Sequence, residues 1–144
     1  MTNKTFLPLS NSYSQRKWYI IDCKGKTLGR TCSAITKILQ GKHKPFYHPA
    51  ADVGDNIILV NAIDLTLYDT KKRAYVFQPG RPGNSLLYRT VRDDRPERII
   101  ENCVKNMMKN GPAKRNINKR LKIYLAQDHP HTAQKPIEYN VESY

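Results

Sequence analysis

Trp18-Tyr19-Ile20-Ile21-Asp22-Cys23 opens the stretch that decides the fold, and Asn56-Ile57-Ile58-Leu59-Val60-Asn61 closes it. Both runs are short, apolar and rich in aromatic or β-branched residues. Such runs predict strands, and continuous rather than alternating apolarity predicts burial on both faces, as in a parallel sheet. Between them Leu28, Cys32, Ile35 and Leu39 recur at helical spacing and mark one face of a helix. Thr27 is placed to N-cap that helix and Gly41 to C-cap it. Lys37, Lys42, His43 and Lys44 crowd its C-terminal end, where positive charge suits the helix dipole, and Pro45 closes the segment. Strand, helix, strand in about 45 residues is a βαβ unit, with a right-handed crossover expected.

Downstream, residues 65–79 predict two shorter extended pieces around a turn at Asp69-Thr70. Pro79, Gly80, Pro82 and Gly83 make 78–84 a loop. A second helix is expected from Pro96, a favoured first-turn residue, with Ile99, Ile100, Cys103, Val104 and Met107 as its apolar stripe. Asn110-Gly111-Pro112 ends it. Residues 114–120 predict a short basic helix with Ile117 and Leu121 inward and its charges outward. Leu121-Lys122-Ile123-Tyr124-Leu125 predicts the last strand. Three parts result: an extended arm over 1–15, an α/β domain over 16–126, and a Pro-stiffened tail over 127–144.

The chain has 144 residues, with 25 Lys and Arg against 12 Asp and Glu, a net charge of +13. Mean hydropathy is −0.68. The excess is concentrated. Residues 16–48 hold eight basic residues against Asp22, and residues 105–135 hold eight against Asp128. Residues 49–104 balance at eight of each. Two solvated faces would give the same count, but repulsion within each block favours a polyanionic partner.

No apolar stretch approaches the ~20 residues of a membrane span, so no membrane partner is expected. Met1 to Gln15 has no apolar core of a secretion signal. Cys23, Cys32 and Cys103 are an odd set without a CxxC pair; they read as small buried apolar residues in a reducing compartment.

Catalytic and cofactor motifs fail on spacing. Gly25-Lys26-Thr27 resembles the end of a phosphate-binding loop, but the required earlier glycine is replaced by Ile20. Gly80-Arg81-Pro82-Gly83 lacks dinucleotide-binding spacing. His129-Pro130-His131 has no Cys or carboxylate cluster at metal-ligand spacing. Asp52 and Asp55 flank Gly54 and read as turn chemistry before a strand. No cofactor, metal or enzymatic activity is expected.

Nucleic acid is the partner the pattern favours. Lys42-His43-Lys44 runs into Phe46-Tyr47-His48, and Lys114, Arg115, Lys119, Arg120 and Lys122 are interleaved with Asn116 and Asn118. Cations meet phosphates, Asn reaches base edges or ribose hydroxyls, and aromatics stack on unpaired bases. No helix-turn-helix, zinc-finger or basic-zipper pattern points to DNA.

Ordered motifs then carry a resemblance. Residues 16–22, Gly25-Lys26-Thr27-Leu28-Gly29-Arg30, Leu39-Gln40-Gly41-Lys42-His43-Lys44-Pro45 and Asp52-Val53-Gly54-Asp55 are among them. Val60-Asn61-Ala62, Pro96-Glu97-Arg98-Ile99-Ile100-Glu101, Val104-Lys105, His129-Pro130-His131 and Ala133-Gln134-Lys135-Pro136 follow. Together these resemble the bacterial-type ribosomal protein L-thirteen family of the large (50S) subunit. Asn3-Lys4-Thr5 and Leu7-Pro8 resemble the arm of its cyanobacterial and plastid members.

The resemblance implies a three-layer α/β/α fold on a four-stranded parallel sheet. It implies a structural constituent of the ribosome that binds large-subunit rRNA, adjoins other large-subunit proteins and supports early subunit assembly. A homo-oligomer is not expected. The implied location is the ribosome of a plastid (chloroplast) stroma, or alternatively a bacterial cytoplasm. The residues expected at RNA are Lys24, Lys26, Arg30, Lys42, His43 and Lys44, then Arg81, then Lys114, Arg115, Lys119 and Arg120, and in the tail His129, His131 and Lys135. A free regulatory RNA-binding protein, acting for instance on its own messenger RNA, is the alternative of another class.

Overall fold

The computed structural model describes residues 16–66, 74–77, 87–90 and 95–141. The arm over 1–15, the turn at Asp69-Thr70 and the loop over 78–84, with Arg81, lie outside the described residues.

The predicted βαβ unit is present. Strand β1 is Trp18–Asp22, helix α1 is Leu28–Gln40 and strand β2 is Asn56–Val60. The two strands pair in parallel from Trp18↔Asn56 to Asp22↔Val60. Ile57, Ile58, Leu59 and Val60 are all buried, so β2 is covered on both faces as its sequence requires. Burial of β1 is less complete: Ile21 is buried, while Trp18, Tyr19 and Ile20 are half-buried. The reason is position. The outer neighbour of β1 is only the two-residue strand β6, Ile137–Glu138.

Thr27 and Gly41 stand at the ends of α1 as predicted, but they act differently. Gly41 adopts the left-handed conformation (φ 76°), and its N–H donates to the Ile38 carbonyl. The Thr27 side chain makes no cap hydrogen bond. Its backbone instead bridges in parallel to Thr66.

The hairpin of β3 (Ala74–Phe77) and β4 (Leu87–Thr90) pairs antiparallel as a separate two-stranded sheet. Helix α2 is Pro96–Met107, with proline in its first turn. Its stripe is shifted at one position. Met107 is 43% exposed and Met108 is buried. The chain leaves the helix at Met108, whose extended backbone (φ −89°, ψ 137°) turns that side chain inward.

The predicted basic helix is two short turns, α3 (Pro112–Arg115) and α4 (Ile117–Arg120), separated at Asn116. Strand β5 follows at Leu121–Ile123. The main sheet has the order β5-β2-β1-β6 and is parallel throughout, so the fold is α/β on a four-stranded parallel sheet.

The fourth strand comes from the tail. Ile137–Glu138 pairs with Tyr19 and Ile20, so part of the predicted extended tail is an integral edge of the sheet. On the face formed by alternate residues of the strands, Ile21, Ile57, Leu59 and Leu121 share one core with Cys32, Ile35 and Leu39 of α1 and Ile100 and Val104 of α2. Each such fully buried aliphatic side chain contributes roughly 1.5–3 kcal/mol.

Candidate nucleic-acid interface

The loop between α1 and β2 brings the two basic blocks together, and it does so around two acids. Gly54 passes so close to the C-terminal end of α1 that a Cβ there would run into the Leu39 carbonyl. This approach carries Asp52 and Asp55 into the interior.

Asp55 is completely buried. One of its oxygens accepts the Lys17 backbone N–H (3.0 Å) and the Lys44 ammonium (2.6 Å). The other lies 2.8 Å from His43 Nε2. The Lys44 ammonium also donates to the Val53 carbonyl at 2.9 Å.

Asp52 is the second hub. Its carboxylate pairs with Arg120 and accepts the Asn116 amide (3.0 Å), while its backbone carbonyl accepts Arg16 Nη2 (3.1 Å). Arg120 is 3% exposed. Burial pushes its guanidinium down to about 10, and the neighbouring Arg16 acts in the same direction. Arg120 therefore still carries its charge at neutral pH and needs the Asp52 carboxylate beside it.

These contacts correct two expectations. Asp52 and Asp55 are not turn residues alone; they tie Arg16 and Lys17, which lead into β1, to the 41–55 loop and α4. Arg120 does not share the outer surface. The break at Asn116 rotates α4 so that Ile117 and Arg120 both face inward. The available signal was placement: two acids three residues apart, between two blocks that hold almost no other acid.

The remaining expected residues separate into groups. Lys42, Arg115 and Lys119 are exposed and make no ion pair among the described residues. Lys114 is half-exposed and donates to Asn110 Oδ1 at 3.1 Å. Lys24, Lys26 and Arg30 stand at the other end of α1, in the turn after β1 and the first helical turn. Lys135 is exposed, in the left-handed region at φ 48°.

The two tail histidines are half-buried. His131 stacks on Trp18 with ring centroids 5.2 Å apart, and its Nε2 lies 2.8 Å from the Tyr124 hydroxyl. It fastens the tail across the start of β1. Tyr19 performs a related task beside it, meeting His43 and Tyr139 edge-on at 6.1 and 6.0 Å.

Among the described residues no group of His, Cys, Asp or Glu is placed to hold a metal ion, and no helix is long and apolar enough to cross a membrane. Cys23 and Cys32 are buried. Burial pushes the Cys23 thiol up to about 11, and a hydrogen bond with Cys103 together with burial raises that of Cys32. These are the inert thiols of a packed core.

What the arrangement offers is a framework of internal ion pairs that leaves a separate set of cations outward. Comparison with known proteins identifies the relatives of the chain. The family model for Ribosomal protein L13 matches residues 16–130. The Large ribosomal subunit protein uL13 of Dictyoglomus thermophilum is 45% identical over 142 residues, covering 96% of this chain and 99% of its own length. The Large ribosomal subunit protein uL13c of Trieres chinensis is 43% identical over 136 residues, covering 94% and 96%. The Thermotoga maritima uL13 is 45% identical over 126 residues, covering 85% of each. This chain belongs to the Ribosomal protein L13 family, whose members are structural proteins of the ribosome and not enzymes.

Proposed function

We propose that this protein binds large-subunit rRNA as a structural constituent of the large ribosomal subunit and supports an early stage of its assembly. The observation that carries this reading is the division of the cations. Arg16, Lys44 and Arg120 turn inward onto Asp52 and Asp55, while Lys42, Arg115 and Lys119 stand exposed. Cations held apart from any acid repel one another until a polyanion neutralises them. Early contact with RNA relieves that repulsion in a chain of net charge +13. Neighbouring large-subunit proteins are its further partners, and the protein acts as a single copy. The location is the ribosome of a plastid stroma; Asn3-Lys4-Thr5 and Leu7-Pro8 favour it over a bacterial cytoplasm.

The test is co-sedimentation with the large subunit in high salt, followed by a map of protein–RNA crosslinks. A ribosomal constituent travels with the subunit and crosslinks to its rRNA through Lys42, Arg115 or Lys119. Recovery at the top of the gradient would identify a free regulator instead.

A further inference from the structure

The connection between α2 and α3 holds the one Asn-Gly pair in the sequence, Asn110-Gly111. Asn110 is exposed, and Gly111 directly precedes α3. Asn110 Oδ1 accepts the Lys114 ammonium at 3.1 Å. The Gly111 carbonyl accepts the Arg115 N–H at 3.2 Å, while the Gly111 N–H makes no hydrogen bond among the described residues. A Cβ built on Gly111 would meet none of the described residues within 4 Å, so this bond has room to turn. No acid stands in the sequence between Glu101 and Asp128, and Glu101 is paired with Lys105 at 3.1 Å.

We infer that Asn110 is a site of spontaneous deamidation, converted through a succinimide to isoaspartate and aspartate, with Lys114 as the group that speeds the step. The Gly111 amide nitrogen gives its proton to solvent base and attacks the Asn110 side-chain carbonyl carbon. The new C–N bond closes the ring. The side-chain amide C–N bond breaks, and its nitrogen takes up a proton from solvent and leaves as ammonia. Water then adds to an imide carbonyl. Opening at the main-chain carbonyl gives isoaspartate, and opening at the side-chain carbonyl gives aspartate. Negative charge develops on Oδ1 during the attack, where the Lys114 ammonium already donates, so this contact strengthens in the transition state. Gly111 has no Cβ, so its nitrogen swings toward the carbonyl at little steric cost. Other asparagines are held. The Ala62 N–H that would have to attack Asn61 donates to the Tyr124 carbonyl at 3.2 Å, and the Asn61 and Asn116 amides donate to Asp22 and Asp52.

Either product is a carboxylate where a neutral amide stood, and the net charge of +13 falls by one unit. The new carboxylate stands beside Lys114 and withdraws it from the outward cations. This consequence rests on the rRNA-binding reading: an aged chain grips RNA with one phosphate contact fewer. The isoaspartyl form also presents a free α-carboxylate, the group that isoaspartyl carboxyl methyltransferases esterify with S-adenosylmethionine.

The experiment incubates the full chain at mildly alkaline pH and follows each asparagine by peptide mass spectrometry. Isoaspartyl carboxyl methyltransferase with labelled S-adenosylmethionine counts the isoaspartate. The wild type should convert Asn110 well before Asn61 and Asn116. Gly111→Ala, whose added methyl has room, should keep its circular dichroism melt and lose most of the conversion. Lys114→Ala should convert Asn110 about two- to fivefold more slowly, the worth of an exposed charged contact. Lys114→Arg should restore the rate, and the Lys114→Ala difference should vanish in urea, where the contact is absent. Asn110→Asp, which mimics the product, should bind a large-subunit rRNA fragment with a salt slope shallower by about 0.7–0.9. Conversion of Asn110 no faster than that of Asn61 overturns the site. Equal folded-state rates for the wild type and Lys114→Ala, or a difference that persists in urea, overturn the role of Lys114. An unchanged salt slope in Asn110→Asp overturns the lost RNA contact and leaves the conversion standing. Failure of the wild type to bind the fragment overturns the rRNA reading itself.

Discussion

Replacing Asp55 with Ala leaves the Lys44 ammonium and the Lys17 N–H facing a buried space without an acceptor charge. Removing one partner of a buried, hydrogen-bonded pair costs about 3–5 kcal/mol, and we expect that loss in urea denaturation of Asp55→Ala. The exposed cation Arg115 provides the contrast, since Arg115→Ala should shift stability by no more than about 0.5 kcal/mol. Arg120→Ala should behave like the Asp55 variant, because its guanidinium is buried against Asp52. An equal, small effect of Arg115→Ala and Arg120→Ala would mean that Arg120 faces solvent. Gly54 is constrained by space and not by backbone angle. Its added methyl would meet the Leu39 carbonyl and approach Arg120 Nη1 at 2.8 Å. Neither can withdraw without opening the end of α1 or the ion pair. Gly54→Ala should therefore cost about 1–3 kcal/mol as an overpacked site, visible as a lowered urea midpoint with unchanged slope.

At the scale of elements, β2 carries the most concentrated burial in the sheet. Leu59 is fully buried, pairs with Ile21 on one side and Ile123 on the other, and belongs to the core shared with α1 and α2. Leu59→Ala should cost roughly 2–5 kcal/mol; an unchanged melting temperature would contradict a central strand. The tail is held more lightly. Loss of the Trp18–His131 stack in His131→Ala should cost about 0.5–1.5 kcal/mol and hasten proteolysis after residue 126 while the core stays protected. Local period and punctuation made β1, α1, β2 and the start of α2 legible in sequence. Apolar spacing, Gly41 and Pro96 act within a few residues of where they stand. The β6 edge was not legible, because Ile137-Glu138 has no strand pattern and pairs only through its neighbour β1. The inward turn of Arg120 was hidden for a similar reason: it depends on Asp52, 68 positions earlier in the sequence. Charge counting identified the basic blocks but could not separate cations that hold the fold together from cations that face outward.

For the whole molecule, that separation sets how binding should respond to salt. Arg16, Lys44 and Arg120 are committed to internal acids, so they release no counterions when RNA binds. The outward set is Lys42, Lys114, Arg115 and Lys119 at one end of α1, Lys24, Lys26 and Arg30 at the other, and Lys135 in the tail. If about 6–8 of these meet phosphates, log affinity for an rRNA fragment should fall with log salt at a slope of about −4 to −7. A slope shallower than about −2 would be inconsistent with an electrostatic interface of this extent. Changing Lys114, Arg115 and Lys119 together to Ala should make the slope less steep by about 2–3 and weaken incorporation into the subunit. The same variant should remain folded, because none of the three joins the Asp52–Asp55 framework. Its melting temperature should hold or rise slightly as like-charge repulsion is removed. Adding Arg120→Ala to the triple variant should instead unfold it at modest urea, since that change opens the interior. A triple variant with wild-type salt dependence and normal incorporation would place the RNA face elsewhere, leaving Lys42 and the cations Lys24, Lys26 and Arg30 to carry it.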